Sequence, residues 1–123
     1  MHGHSALVAE AAGRVVGFVT MSLCRDSAFG QSEIETLYVG DDWRDQGTGR
    51  RLMQSAGGAL ASQGAGSAFL WVLSDNPSRW FYQRLGGKPA AEAVIQVAGQ
   101  GVVQTAFVWD PIEKIFEASP QPS

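Results

Sequence analysis

The sequence predicts an α/β (α+β) fold, a mixed and mostly antiparallel twisted sheet with a central β-α-β crossover. Three observations carry this. Hairpin patterns rich in β-forming residues stand near both ends, over residues 5–24 and 91–109. Between them come an alternating run, a helix-spaced run and a continuous apolar run, in that order. Strand, helix, strand in succession implies a right-handed parallel crossover.

Residues 5–10 are a short apolar run, and Ala12-Gly13 follows as a turn. Residues 14–24 carry Val15, Val16, Phe18, Val19 and Thr20, so the two segments read as a hairpin. Residues 25–32 are polar and contain glycine, which reads as a loop. Over residues 33–39, Ile34, Thr36 and Tyr38 alternate with Glu35, Leu37 and Val39, the period of a strand. Gly40-Asp41-Asp42 ends it. Leu52, Met53, Ala56, Ala59 and Leu60 then fall on one helical face, with Gly64 as the stop. Gly57 and Gly58 each weaken that helix by about 1 kcal/mol relative to Ala, so close packing must compensate. Residues 68–73 (AFLWVL) read as a strand covered on both faces. Asn76 is a good N-cap and Pro77 suits the first helical position of a second helix. Trp80, Phe81 and Leu85 give it a buried face, and Gly86-Gly87 end it. Residues 91–97 and 102–109 flank Gly99-Gln100-Gly101 as a second hairpin. The segment from Asp110 can add one helical turn through Ile112, Ile115 and Phe116, and residues 119–123 read as frayed.

A chain of 123 residues makes one domain, here residues 1–110 with a tail over 111–123. No apolar run reaches the roughly 20 residues needed to span a bilayer. No secretory signal pattern opens the chain, so a cytoplasmic location is expected. The single cysteine, Cys24, cannot form an internal disulfide and suits a reducing compartment; nothing local would activate it as a thiol catalyst. A net charge of −3 argues against a general nucleic-acid binder. Yet Arg44, Arg50, Arg51, Arg79, Arg84 and Lys88 are six of the nine cationic residues, gathered in one stretch. A local basic site in an acidic protein suits a small anionic ligand.

The segment Arg44-Asp45-Gln46-Gly47-Thr48-Gly49-Arg50-Arg51 lies between the third strand and the first long helix. A helix N-terminus presents unpaired N–H groups and the positive end of the dipole, and so binds phosphate. Glycines at 47 and 49 would let a pyrophosphate approach the backbone. The alternative is a plain glycine-rich turn with surface arginines. A Walker P-loop is excluded because no Gly-Lys-Ser/Thr follows, and a dinucleotide fingerprint lacks its third glycine.

Arg44-x-x-Gly47-x-Gly49, preceded by Leu37-Tyr38-Val39 and followed by an amphipathic helix, resembles motif A of the GNAT superfamily of N-acetyltransferases. Asn76, then Trp80-Phe81-Tyr82 and Leu85-Gly86, resembles the next motif, in which Asn and Tyr lie six residues apart. Together they cover about residues 34–88. The resemblance implies a GNAT-like sheet that lacks the usual first strand and first two helices, with residues 1–110 as the acetyltransferase domain. It implies acetyl-CoA as co-substrate, no metal, and a primary amine of a small molecule or protein as acceptor.

The resemblance also assigns roles. The strand carrying Leu37, Tyr38 and Val39 would splay from the strand carrying Trp71 and Leu73, and pantetheine would pair with the exposed backbone of 37–39. Backbone N–H groups of Arg44, Asp45, Gln46, Gly47, Thr48, Gly49 and Arg50 would hold the pyrophosphate. An N–H near Tyr38 or Val39 would polarise the thioester carbonyl. Asn76 would bond the pantetheine arm, serve as a helix cap, or both. Tyr82 would protonate the departing thiolate, or else pack beside Phe81. Glu33 matches a family position for the general base and Glu35 is its neighbour; the alternative is two solvated carboxylates. His2 and His4 read as surface residues.

Two departures bear on function. The missing opening elements would have formed an acceptor wall, and Gly86-Gly87 stands where the family has Gly-Phe. The alternative reading is therefore a non-catalytic acyl-CoA-binding or regulatory module. An uncovered sheet edge and the apolar strand over residues 15–23 predict a two-fold homodimer.

Overall fold

The computed structural model describes residues 4–24, 27–44 and 46–117. Two strands, β1 (Ser5–Ala11) and β2 (Arg14–Leu23), are joined by Ala12-Gly13, both at positive φ, which suits the right-handed twist of a tight hairpin. Next come β3 (Ser32–Val39), a single 3-10 turn (Asp41–Trp43), α1 (Thr48–Ser62) and β4 (Ala68–Leu73). They are followed by α2 (Ser78–Arg84), β5 (Lys88–Val97), β6 (Gln100–Trp109) and a short α3 (Glu113–Glu117). The second hairpin turns at Ala98-Gly99, slightly earlier than the glycine spacing suggests, again with both residues at positive φ.

The six strands run in the order β1-β2-β3-β4-β6-β5, antiparallel except for β3 against β4. That parallel pair is the expected crossover through α1. Its ladder is short, with Glu33 opposite Phe69 as the paired position. Beyond it β4 stays paired to β6 as far as Leu73 opposite Gln104, while β3 stays paired to β2 as far as Val39 opposite Gly17. The sheet therefore parts down its middle.

The core lies between the sheet and α1. Leu52, Met53, Ala56 and Leu60 face Val19, Met21, Ile34, Ala68 and Leu70, all buried. Each such aliphatic side chain contributes about 1.5–3 kcal/mol on burial. The segment after β6 closes the far end of this core, with Ile112 and Ile115 fully buried. A Cβ on Gly57 would stand 3.1 Å from the Ile115 Cβ, so α3 explains one of the two helix glycines; nothing lies within 4 Å of Gly58.

Three expectations need correction. The alternation of β3 slips at Glu35, because Thr36 pairs with Thr20 but Ile34 pairs with Met21. This bulge puts Ile34, Leu37 and Val39 together on the α1 side, rather than Ile34 with Tyr38. Trp80 is 56% exposed and contributes little to the buried face of α2, which rests on Tyr82 and Leu85. Leu73, at the end of the apolar run, is also exposed, because the sheet has parted there. The Trp109 ring lies across Gly87, where an added Cβ would approach to 2.7 Å, and its Nε1 donates to the Leu85 carbonyl at 3.1 Å. An aromatic residue at 87 has no room here because Trp109 fills the space.

Candidate active site

The parting of β3 from β4 opens a cleft of about 820 Å³. One wall is the end of β3, with Leu37, Tyr38 and Val39. Opposite stands α2, whose Ser78, Phe81, Tyr82 and Leu85 follow the i, i+3, i+4, i+7 spacing of one helical face. The start of α1 closes one end with Gly47, Gly49 and Arg50, joined by Arg44 and by Arg84 of α2.

The α1 start has an anion-receiving form. Gly47 sits at φ +80, a left-handed conformation that costs a side-chain-bearing residue about 1–2 kcal/mol. Its carbonyl accepts the Arg51 N–H at 3.0 Å, so the N–H groups of residues 48–50 have no helical partner. The residues flanking them supply positive charge. Arg44 is held in place by its Nε, which donates to the Val39 carbonyl at 3.4 Å, and by Asp41 at 3.4 Å. Arg79, by contrast, turns away: its Nη1 donates to the Ser74 carbonyl at 3.0 Å and its guanidinium lies over Trp80.

Of the residues selected from sequence for cofactor binding, Leu37, Tyr38, Val39, Arg44, Gly47, Gly49, Arg50 and Asn76 meet in this cleft. Gln46 and Thr48 are not among its lining residues: the Gln46 amide donates to the Asp42 carbonyl, and Thr48 is buried on another face of α1. Asp45 and His2 lie outside the described residues. The Asn76 Oδ1 accepts the Ser78 N–H at 2.8 Å, the geometry of an N-cap, while the residue also lines the cleft.

Tyr82 combines two surroundings. Its ring packs edge-on against Phe81 and Trp109, and burial raises its pKa above the ordinary phenol value. The phenol therefore stays protonated at neutral pH and is available as a donor at the cleft wall. Glu33 and Glu35 are not cleft-lining residues; Glu33 stands on β3 at the position paired with Phe69 of β4, and Glu35 two residues beyond it. Burial, and then the charge of Glu35, raise the Glu33 pKa. Glu35 accepts the Ser22 hydroxyl at 2.9 Å, and His4 Nδ1 lies 3.2 Å from it, an ion pair when the imidazole is protonated. Sequence reasoning left Ser78, Phe81, Arg84 and Leu85 out of the site. The helical spacing of 78, 81, 82 and 85 was the available signal for three of them. Among the described residues no group of three or more His, Cys, Asp or Glu is placed to hold a metal ion, and no helix is long and apolar enough to cross a membrane.

Comparison with known proteins agrees with this geometry. The family described as acetyltransferase (GNAT) domain matches residues 2–86. An N-acetyltransferase of Bacillus subtilis strain 168, YuaI, itself described as uncharacterized, is 29% identical over 104 residues. That match covers 84% of this chain, and the chain spans 60% of that relative's length. A nourseothricin acetyltransferase superposes with a TM-score of 0.78 at 24% identity, over 88% of this chain and 65% of its own. The ribosomal-protein-S18-alanine N-acetyltransferase of Escherichia coli superposes with a TM-score of 0.73 at 17% identity, over 88% and 69%. These two likenesses establish the fold. With the family match extending over more than half of its length, the chain belongs to the GNAT acetyltransferase family.

Proposed function

We propose that this protein transfers an acetyl group from acetyl-CoA to a primary amine of a small molecule or protein. The observation that carries the proposal is the parted sheet, with a helix start bearing unpaired N–H groups at one end and Tyr82 in the wall. A cleft of about 820 Å³ lies within the range of small-molecule sites. The residues present suit acetyl-CoA, which supplies the activated thioester. The N–H groups of residues 48–50, with Arg44 and Arg50, receive the pyrophosphate. The unpaired edge of β3 at residues 37–39 receives pantetheine as an added strand, and an N–H there polarises the thioester carbonyl. Asn76 keeps its capping bond through Oδ1 and offers its amide N–H₂ to the pantetheine arm.

In the transfer, the acceptor nitrogen forms a bond to the carbonyl carbon and the carbon–sulfur bond breaks. Tyr82 donates its proton to the departing sulfur, whose thiol pKa of about 8.5 makes it a fair leaving group once protonated. Glu33, with Glu35 beside it, takes the ammonium proton from the acceptor, directly or through water, and the second proton that the nitrogen sheds on becoming an amide restores the Tyr82 phenol. The position of both carboxylates outside the cleft lining favours the water route.

A cytoplasmic location and a two-fold homodimer belong to the same reading. The first is supported by the single cysteine, which suits a reducing compartment. The second is supported by β1 as an open sheet edge and by Val8 and Val15, each more than half exposed.

The test is incubation with acetyl-CoA and a panel of primary amines, following thiol release and acetylated product. Product with any amine supports the transfer. Tight binding of CoA with only background hydrolysis would instead establish a non-catalytic acyl-CoA-binding module.

A further inference from the structure

A second cavity, of about 290 Å³, lies behind the start of α1, between that helix, the end of the β1–β2 hairpin and Trp43. Thr48, Arg51, Leu52 and Ser55 line it, the i, i+3, i+4, i+7 face of α1. Gly49 and Arg50 of the same turn line the acetyl-CoA cleft. The first turns of α1 are thus a wall between two cavities.

The chemistry of this second cavity is specific. Its lining residues include one acid, Glu10 of β1, and one arginine, Arg51, both exposed at its rim. The two are not paired with each other; the ion pairs among the described residues are His4–Glu35 and Arg44–Asp41. The Trp43 indole and the Leu52 side chain add apolar surface to the same cavity. Opposite charges on two residues that line one cavity, and that do not pair with each other, complement a ligand that carries both charges on a short apolar body. Its volume lies just below the ~300–1,000 Å³ of drug-sized sites, which restricts the ligand to a small molecule.

We propose that this cavity binds a free α-amino acid with an apolar side chain. Glu10 receives its ammonium, Arg51 its carboxylate, and Trp43 and Leu52 its side chain. Both polar contacts are charge-assisted, and Arg51 can grip a carboxylate with two N–H groups. The site also touches the acetyl-CoA cleft. The Arg51 Nη1 reaches the Gln46 carbonyl at 3.5 Å and stands 3.1 Å from where a Cβ of Gly47 would be. A ligand that draws this guanidinium toward Glu10 acts on the loop that receives the pyrophosphate. This coupling rests on the acetyl-transfer reading, whereas the binding itself does not.

Amide and indole NMR spectra of the protein, titrated with L-leucine and L-valine, test the binding. The Trp43 indole and the amides of residues 8–11 and 48–55 are expected to shift. N-acetyl-L-leucine, which lacks the ammonium, and L-leucinamide, which lacks the carboxylate, are expected to bind at least about tenfold more weakly, the loss typical of one charge-assisted bond. Glu10→Gln should weaken L-leucine by a similar factor and leave CoA binding unchanged. Absence of shifts with both amino acids overturns the proposal. So does binding of either one-charge analogue as tightly as L-leucine, and so do shifts confined to residues 37–39 and 76–85, which would mark the acetyl-CoA cleft instead. Failure of CoA to bind would defeat the acetyl-transfer reading and leave this titration standing, so the two failures are distinguishable.

Discussion

Tyr82 belongs to the core and to the cleft wall at once, so its position is compatible with both alternatives that the sequence leaves open, proton donor and packing residue. Its ring is part of the core, against Phe107 and Trp109, and the residue also lines the cleft. Tyr82→Phe keeps the ring and removes the proton, so turnover should fall by about 10²–10⁴-fold with CoA affinity nearly unchanged. A Phe variant at full rate would leave the residue as packing. The carboxylates of β3 lead to a prediction in pH. The Glu33 pKa is raised, first by burial and then by the Glu35 charge, so its base form appears only at higher pH than for an ordinary glutamate. Glu35→Gln removes one cause, which lowers the Glu33 pKa. The acid limb of the rate profile should therefore move to lower pH in that variant and vanish in Glu33→Gln. An acid limb unchanged in both would remove Glu33 from the proton path. Their identity as acids was plain in the sequence; that Ser22 and His4 hold Glu35 was not, because Ser22 comes from β2 and His4 from the residue before β1, both distant in the chain.

At the scale of elements, α1 is where sequence reading succeeds best and where its limit is easiest to see. The helical spacing of Leu52, Met53, Ala56 and Leu60 marks the buried face without any tertiary information. Gly57 and Gly58 look equivalent in the sequence, yet they meet different surroundings. Gly58→Ala adds a methyl group into open space and should stabilise by about 1 kcal/mol through helix propensity. Gly57→Ala gains the same propensity but drives a methyl group onto Ile115 at 3.1 Å, an overpacking cost of about 1–3 kcal/mol, so it should be about 1–3 kcal/mol less stable than Gly58→Ala. Thermal or urea unfolding of the two variants checks both, and equal effects would contradict the docking of α3 on α1. At the other end of the helix, Gly49 faces Phe81, Val39 and Leu37 across the cleft. CoA should raise the melting temperature of the parent protein, and Gly49→Val should abolish that rise. If the rise persists, the site lies elsewhere. The bulge at Glu35 was not legible, because an extra residue in β3 leaves an unbroken run of strand-forming residues behind it.

For the whole molecule, the open edge of β1 and the exposed Val8 and Val15 bear on assembly. Edge strands with apolar side chains are aggregation liabilities that proteins usually cover. Light scattering at micromolar concentration should give twice the chain mass if a second copy covers that edge. A compact monomer would remove the dimer from the proposed function. Charged substitution of an edge residue, Val8→Lys, should then return a dimer to monomers while retaining CoA binding.

The sequence by itself determined the order of elements, the crossover and the glycine-rich helix start. These depend on local signals: a period of 2 or 3.6, a cap residue, a glycine where the backbone turns. It also brought Leu37, Arg44, Gly49, Asn76 and Tyr82 into one candidate site, through motif spacing rather than geometry. Only the tertiary structure decided where β3 leaves β4, which arginines turn toward the cleft, and which glycine meets a neighbour. Arg44, Arg50 and Arg84 line it, while Arg79 satisfies a carbonyl and Arg51 lines a second cavity. The physical reason is common to all three. A side chain's direction and a strand's last pairing are fixed by groups distant in the chain, and no local period records them.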